Sequence, residues 1–183
     1  MSTLETNLIQ PSTGTSLTIG ASGDTITIPS GATITNSGTA TGFGGTNTPA
    51  FRAKSATGQS ISNTTHTQVV FGTEVFDTAS AFASNVFTVP SGQGGKYFLY
   101  AQVGKGGWGA NRFLIKIRKG GSTTIGLGEI SNATNYYPVA TTSTIAELSA
   151  GDTIDVTIYH DNGSTQTIND GDPTMFMGFK IIE

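Results

Sequence analysis

The 183-residue chain contains no cysteine, so it forms no disulfide bond and uses no thiol chemistry. Charged residues make up only 11% of it, against about 25% in an average soluble domain. Its formal net charge of -3 supplies no positive field for nucleic acid. No apolar run approaches the ~20 residues that span a bilayer, and the N-terminal residues lack the basic start and apolar core of a signal peptide. These absences predict a protein whose partners include neither nucleic acid nor a membrane.

Glycine, by contrast, is abundant at 25 residues, and no stretch keeps the 3.6-residue apolar period of a helix for three turns. Short runs of strand-forming residues follow one another, separated by glycine- and aspartate-rich turns. The strand candidates are 50–54, 67–71, 85–89, 96–103, 112–119, 123–127, 138–147, 153–159 and 174–182. The pattern predicts an all-β fold, a jelly-roll β-sandwich rather than a parallel sheet.

Residues 1–48 differ from the rest and are predicted to form an N-terminal arm, followed by a head over 49–183. Short Thr/Ile strands are expected at 17–19, 25–28 and 33–34. Their few aliphatic side chains cannot offset the ~1–2 kcal/mol of backbone entropy lost per ordered residue. The arm is therefore expected to wind around equivalent arms of neighbouring chains or to lie on a partner's surface; composition alone also permits a flexible linker. The predicted arm contacts are Leu17, Ile19, Ile26, Ile28 and Ile34.

Two strand candidates are apolar on both faces. In the last one, Met175, Met177 and Phe179 alternate with Phe176 and other residues of the opposite face. In a chain without helices, the simplest cover for a second apolar face is another copy of the same protein. The residues predicted to lie in an interface between copies are Phe98, Tyr100, Phe176, Phe179 and Ile181.

Five separated motifs carry a family resemblance. They are Pro49-Ala-Phe-Arg-Ala53, Phe87-Thr-Val-Pro90, Gly95-Lys-Tyr-Phe-Leu99, Ala146-Glu-Leu-Ser-Ala-Gly-Asp152-Thr-Ile-Asp-Val156 and Phe176-Met-Gly-Phe-Lys-Ile181. In this order the segment resembles the globular head of the complement first component's q subunit (C1q), a relative of tumour necrosis factor. The resemblance implies a ten-stranded jelly roll that forms homotrimers, with its first and last strands adjacent at the threefold axis.

The arm carries a second resemblance. Its Thr27-Ile-Pro-Ser-Gly-Ala-Thr-Ile34 phrasing resembles the N-terminal segments of marine bacteriophage virion proteins, and it stands where the animal heads have a collagen-like stalk. Together the two resemblances imply a trimeric bacteriophage structural protein located in the virion. We expect a capsid decoration or cement protein whose arm docks on the major capsid protein or another virion protein. The alternative is a short tail fibre or receptor-binding tip that recognises a host surface glycan or protein.

Candidate catalytic residues are few, and an enzyme is not expected. His160 and Asp161 invite a triad interpretation, but no Gly-x-Ser-x-Gly elbow accompanies them and no convergent pair of acids suits glycan cleavage. The Gly104–Gly109 segment resembles a phosphate cradle without the helix that would follow it.

No cofactor is expected, although calcium is an alternative. Oxygen ligands could gather from 169–172, with Asp161 and Asn162 on the preceding loop, but their spacing is equally that of a tight turn.

Some side chains have two readings. Trp108, Tyr136 and Tyr137 either tuck into the core or contact a partner or a host glycan. Five basic residues either form a solvated outer face or meet an acidic protein partner. These are Lys105, Arg112, Lys116, Arg118 and Lys119.

Overall fold

The computed structural model describes residues 9–37, 47–106, 110–133 and 139–181. The chain divides into two compact units, Met1–Phe43 and Gly44–Glu183. Every regular element in the described residues is a β-strand, so the predicted all-β class is confirmed. Within these ranges no helix is long and apolar enough to cross a membrane.

The second unit, the head, holds all the strands of the described residues. They are β1 (Ala50–Ser55), β2 (Gln59–Ile61), β3 (Thr67–Gln68), β4 (Thr73–Asp77), β5 (Phe82–Ala83), β6 (Val86–Thr88), β7 (Gly95–Gly104), β8 (Ala110–Lys119), β9 (Thr123–Ala133), β10 (Val139–Leu148), β11 (Thr153–His160), β12 (Gln166–Ile168) and β13 (Gly171–Lys180).

These strands form two packed antiparallel sheets. One has five strands in the order β10-β7-β13-β1-β4. The second has the order β5-β6-β11-β8-β9, with β3 also paired to β11, while β12 and β2 make a small separate pair. The first and last strands of the head, β1 and β13, are neighbours, as the resemblance implied. The chain crosses between the two sheets several times, for example from β7 to β8 and from β9 to β10, as it does in a jelly roll.

The core lies between the two sheets and follows the alternation of each strand. In β7, Tyr97 and Leu99 point inward and are fully buried, and in β8 the side chains of Ile115 and Ile117 do the same from the other sheet. Burying each such side chain contributes about 1.5–3 kcal/mol. Aromatic rings fill one end, where the Phe51 ring contacts those of Phe82, Phe87 and Phe176 with centroids 4.6–5.3 Å apart.

Along one side of the sandwich the two sheets approach closely at β9 and β10. A Cβ placed on Gly128 of β9 would collide with the backbone oxygen of Thr141 in β10. Glycine is thus required where the backbones of two sheets come this near. Gly120 and Gly121, both at positive φ, form the tight turn that joins β8 to β9.

Four strands were not predicted. β2, β5 and β12 hold only two or three residues, too few for an alternation to be visible. β4 lies at the sheet edge beside a register shift in β1, and its consecutive apolar residues Val75 and Phe76 are both exposed. A bulge of this kind breaks the period of two on which the prediction rests.

The arm, described over residues 9–37, contains no strand in that range. The expected strands at 17–19, 25–28 and 33–34 are therefore not formed within one chain. Two tight turns occur instead, closed by the Asp24 N–H donating to the Ala21 oxygen (3.0 Å) and the Ala32 N–H donating to the Pro29 oxygen (3.1 Å). A strand exists only beside another strand, and in these residues the single arm supplies none.

Candidate functional site: the outer face of the five-stranded sheet

The side of the five-stranded sheet that points away from the core is here called the outer face. Its side chains come from β1, β7, β10 and β13, and strand register sets them in rows. One row holds Ile145, Phe98, Phe179 and Ala50, each directly opposite the next. The next row holds Ser143, Tyr100, Met177 and Arg52.

The first row makes one end of the outer face apolar. The Phe98 and Phe179 rings contact each other with centroids 5.4 Å apart. Phe179 remains 38% exposed and Ile145 63% exposed. Large apolar side chains set side by side and left open in this way typify a surface that another protein covers.

The other end of the outer face is polar and internally hydrogen-bonded. The Tyr100 hydroxyl donates to Gln102 Oε1 (2.6 Å), and Gln102 Nε2 donates to the Asp172 backbone oxygen (2.7 Å). The Asp172 carboxylate accepts from Arg52 (2.9 Å) and Lys54 (3.4 Å). Burial raises the pKa of the Tyr100 phenol, which favours the protonated form that donates this hydrogen bond. The face therefore grades from apolar to charged along the strands.

Of the residues predicted for an interface between copies, Phe98, Tyr100 and Phe179 lie on the outer face. Ile181 is half-buried just after β13, where its N–H donates to the Lys96 oxygen (2.8 Å). Phe176 is placed differently: it is fully buried in the chain's own core, against Phe51. The prediction that Phe176 lies in the interface is therefore wrong, because alternation along β13 puts it on the face opposite to Phe179.

Sequence reasoning missed Ile145 and Phe76 as exposed apolar residues of this sheet. Ile145 lies in β10 among threonine and serine, so the strand looks polar on this side until register places it opposite Phe98. Phe76, 47% exposed, lies opposite Arg52 on the edge strand β4. Only strand order shows that Ile145 adjoins the predicted patch, whereas Phe76 lies beside Arg52 at the edge of the sheet.

The predicted contacts of the arm are exposed without exception. Leu17 and Ile28 retain 46% and 48% of their accessible surface, and Ile19, Ile26 and Ile34 retain 54–62%. Trp108, Tyr136 and Tyr137, predicted as ligand or partner contacts, lie outside the described residues, as does most of the glycine-rich boundary at 42–49.

On the second sheet, the predicted basic face is neutralised by the chain's own acids. Arg112 binds both carboxylate oxygens of Glu129 (2.9 and 3.0 Å), and Arg118 binds Asp155 through two hydrogen bonds. Lys119 binds Asp152 (2.6 Å), which lowers the pKa of that carboxyl. Such pairs favour the interpretation that these basic residues form a solvated surface of the second sheet over the interpretation that they recognise an acidic partner.

Two further basic residues are also engaged. Lys116 Nζ lies 3.3 Å from His66 Nε2, and desolvation together with the nearby cations lowers the pKa of this histidine. Lys105 is fully buried, which lowers the pKa of its amine. A buried lysine is not placed to bind the phosphate of a surface ligand, so the resemblance of 104–109 to a phosphate cradle carries no weight.

The candidate triad does not assemble in the structure. His160 is fully buried; its Nε2 lies 3.0 Å from the Ile61 oxygen and its Nδ1 accepts from the Asn162 N–H (3.3 Å). Both ring nitrogens are thus engaged by the backbone, and neither is free to activate a serine. Asp161 accepts from the Arg112 N–H (2.8 Å) rather than from a histidine.

The residues considered as calcium ligands are engaged in the same way. Asp161 caps the Arg112 backbone, and Asp172 pairs with two cations. Over the described parts of the chain, no three or more His, Asp or Glu side chains gather where they could hold a metal ion.

Neither a protein-family model nor a curated protein matches the sequence. Solved structures do match the head. The globular domain of zebrafish complement 1qA protein is 16% identical with a TM-score of 0.55, covering 74% of this chain and 98% of that one. Murine APRIL at pH 8.0 is 17% identical with a TM-score of 0.58, covering 73% and 98%. At these identities the likeness shows the fold, and the head of this chain therefore resembles C1q and tumour necrosis factor relatives in being a jelly roll of their kind.

Proposed function

We propose that this chain is a homotrimeric structural protein of a bacteriophage particle, a decoration or cement protein of the capsid. The head projects from the particle, and the arm attaches it to the major capsid protein or another virion protein. The observation that carries the proposal is the apolar end of the outer face, where Phe98, Phe179 and Ile145 lie side by side and open to solvent.

Trimerisation through the outer face would cover this patch. A closed ring of copies removes the apolar surface of every copy from water. An open filament would leave the same surface exposed on its terminal copy. The polar end of the face suits the rim of such an interface. Hydrogen bonds and ion pairs at a rim make an interface specific without adding much affinity. The likeness of the head to C1q supports threefold symmetry over other arrangements.

Attachment through the arm is supported by the arm's own chemistry. Five aliphatic side chains are exposed within residues 17–34, and no strand forms there in one chain. A segment of this kind gains order only from a partner. Its resemblance to the N-terminal segments of phage virion proteins supports the proposal that a particle is among its partners.

An assembly role, not an enzymatic one, is also part of the proposal. The groups that would carry chemistry are held by structural contacts: His160 by backbone atoms, Asp172 and Asp155 by arginine. No cofactor is needed for a protein that acts by covering a surface.

The copy number of the chain in purified particles tests the proposal. On a stained gel of virions, a decoration protein is expected at hundreds of copies per particle, measured against the major capsid protein band. A handful of copies would instead assign the chain to the tail, as a short fibre or receptor-binding tip. Absence from the particle would overturn the virion assignment altogether.

A further inference from the structure

We propose that the arms of three copies pack against one another over residues 17–34, forming between chains the strands that no single arm makes. The arm thereby becomes a second trimerisation element in addition to a point of attachment. This inference rests on the trimer proposed above and names the arm's first partner, namely the equivalent arms of the other two copies.

The backbone of the arm supports pairing between chains. Within residues 17–34, hydrogen bonds between backbone groups close the turns at Ala21–Asp24 and Pro29–Ala32. The Thr/Ile segments on either side of these turns have no strand beside them. Backbone N–H and C=O groups left in this state are the groups that pair with a neighbouring strand when one is supplied.

The side chains support the same partner. Isoleucine and threonine alternate over 25–28, so Ile26 and Ile28 belong to one face of an extended segment and Thr25 and Thr27 to the other. Ile26 and Ile28 are 59% and 48% exposed. Three identical faces of this kind can meet at an axis and bury one another, leaving threonine toward the solvent.

Charge does not oppose this association. Asp24 is the single charged residue of 9–37, and its carboxylate accepts the Ala21 N–H (2.7 Å) in the turn. Three copies of a nearly uncharged segment can lie side by side without the repulsion that a row of like charges would cause.

The start of the head explains why other arms are the first partner. The Pro49 oxygen accepts the Lys180 N–H (3.0 Å), and Ala50 lies opposite Phe179. The head therefore begins at the apolar end of the outer face. In a trimer formed through that face, the starts of the three heads lie near one another, and joining the arms at neighbouring points raises their effective concentration for each other.

Cysteine scanning of the full-length chain tests the proposal, because the protein contains no cysteine of its own. Under mild oxidation, Ile26→Cys is expected to yield disulfide-linked dimers on a non-reducing gel, involving up to two of every three chains. Threefold symmetry brings equivalent residues of the apolar face together, within the ~7 Å Cα separation that a disulfide spans. The yield should not change when the protein is diluted tenfold.

The matched control is Thr27→Cys, one residue along and on the opposite face. Its dimer yield is expected to be at least tenfold lower. A second pair, Ile19→Cys with Thr18→Cys, repeats the comparison should Ile26→Cys disturb the arm. Light scattering on each variant reports the state of the heads independently.

Three results would overturn the proposal in distinguishable ways. Trimeric protein with low yields for every cysteine would show that the heads trimerise without packing of the arms. Equal dimer yields for Ile26→Cys and Thr27→Cys would show that the arms meet at random and do not pack through one face. Monomeric protein would refute the trimer of the proposed function and with it this inference.

Discussion

Phe98 and Phe179 lie on neighbouring strands of the outer face, with their rings in contact and an exposed isoleucine beside them. We expect Phe179→Asp to give monomeric or insoluble protein, because burying an unpaired carboxylate in an interface costs several kcal/mol. Light scattering of the purified protein measures the effect. The control is Leu127→Asp on the second sheet, where leucine is 58% exposed; it should leave the mass unchanged. A trimeric Phe179→Asp protein would remove the outer face from the interface.

A second residue links stability to pH. Tyr97 is fully buried, its hydroxyl donates to the Gln93 oxygen (2.6 Å), and desolvation raises its pKa from 10.0 to about 12. The folded state therefore holds the phenol proton more tightly than the unfolded state does. The resulting stabilisation is complete below pH 10 and is lost as pH rises from 10 to 12.

The predicted loss over that window is roughly 2–3 kcal/mol for the wild-type protein. Tyr97→Phe cannot titrate, so it should be less stable than wild type at pH 8 by about 1 kcal/mol for the missing hydrogen bond. Its stability should then fall less between pH 10 and 12. Urea denaturation across this range measures both curves; parallel curves would show that Tyr97 does not titrate differently on folding.

For single residues, the sequence predicts which strands carry apolar side chains on both faces. It does not predict which of the two faces lies in the core. Alternation separates Phe176 from Phe179, yet both were expected in the interface. The structure assigns Phe176 to the core because Phe51, on the adjacent strand, closes over it. Such an assignment depends on a neighbour over a hundred residues away, which no local pattern contains.

Among the elements, β9 and β10 are the pair through which the two sheets join along one side. Gly128→Ala is expected to destabilise the head by about 1–3 kcal/mol or more, since the added methyl meets the Thr141 backbone oxygen and the strands must separate. Thermal unfolding measures the loss. Gly120→Asn, in an open turn at a φ that asparagine tolerates, is the control and should change little. Equal effects from the two substitutions would contradict a close approach at Gly128.

Strand length decides how much of the fold could be predicted. The long strands β7, β8, β10, β11 and β13 coincide with predicted segments to within two residues at most boundaries, because eight to ten residues show alternation clearly. β9 was predicted only to 127, and the structure extends it to Ala133. Its second half reads Gly128-Glu-Ile-Ser-Asn-Ala133 and holds one large apolar residue, so pairing with β8 orders residues whose own pattern does not predict a strand.

For the whole molecule, the central prediction concerns the arm. We expect deletion of residues 1–45 to leave a folded head that no longer joins the particle, since the head has a core of its own and we propose that the arm carries the attachment. Circular dichroism of the truncated protein reports folding, and a gel of particles assembled with it reports incorporation. The full-length chain, supplied in the same way, is the control. Truncated protein found in particles at the normal level would place the attachment in the head.

The jelly roll could be anticipated because its motifs are spread over the entire head, from Pro49 to Ile181, and survive without close sequence identity. The assembly could be anticipated only in outline. Apolar side chains on a second face indicate that something covers them, but symmetry and partner depend on surfaces that other chains supply. Residues 9–37 form no strand in a single chain, because a strand needs a neighbouring strand and the described arm contains none.

Strands β1 and β13 run antiparallel side by side, so the polypeptide enters and leaves the head at a single pole. A passenger domain fused after β13 would consequently emerge beside Pro49, where the arm joins the head. The loop joining β11 to β12, with Ser164 and Thr165 exposed, follows strands that lead away from that pole. A passenger domain inserted there would stay clear of the end of the head at which the arm begins.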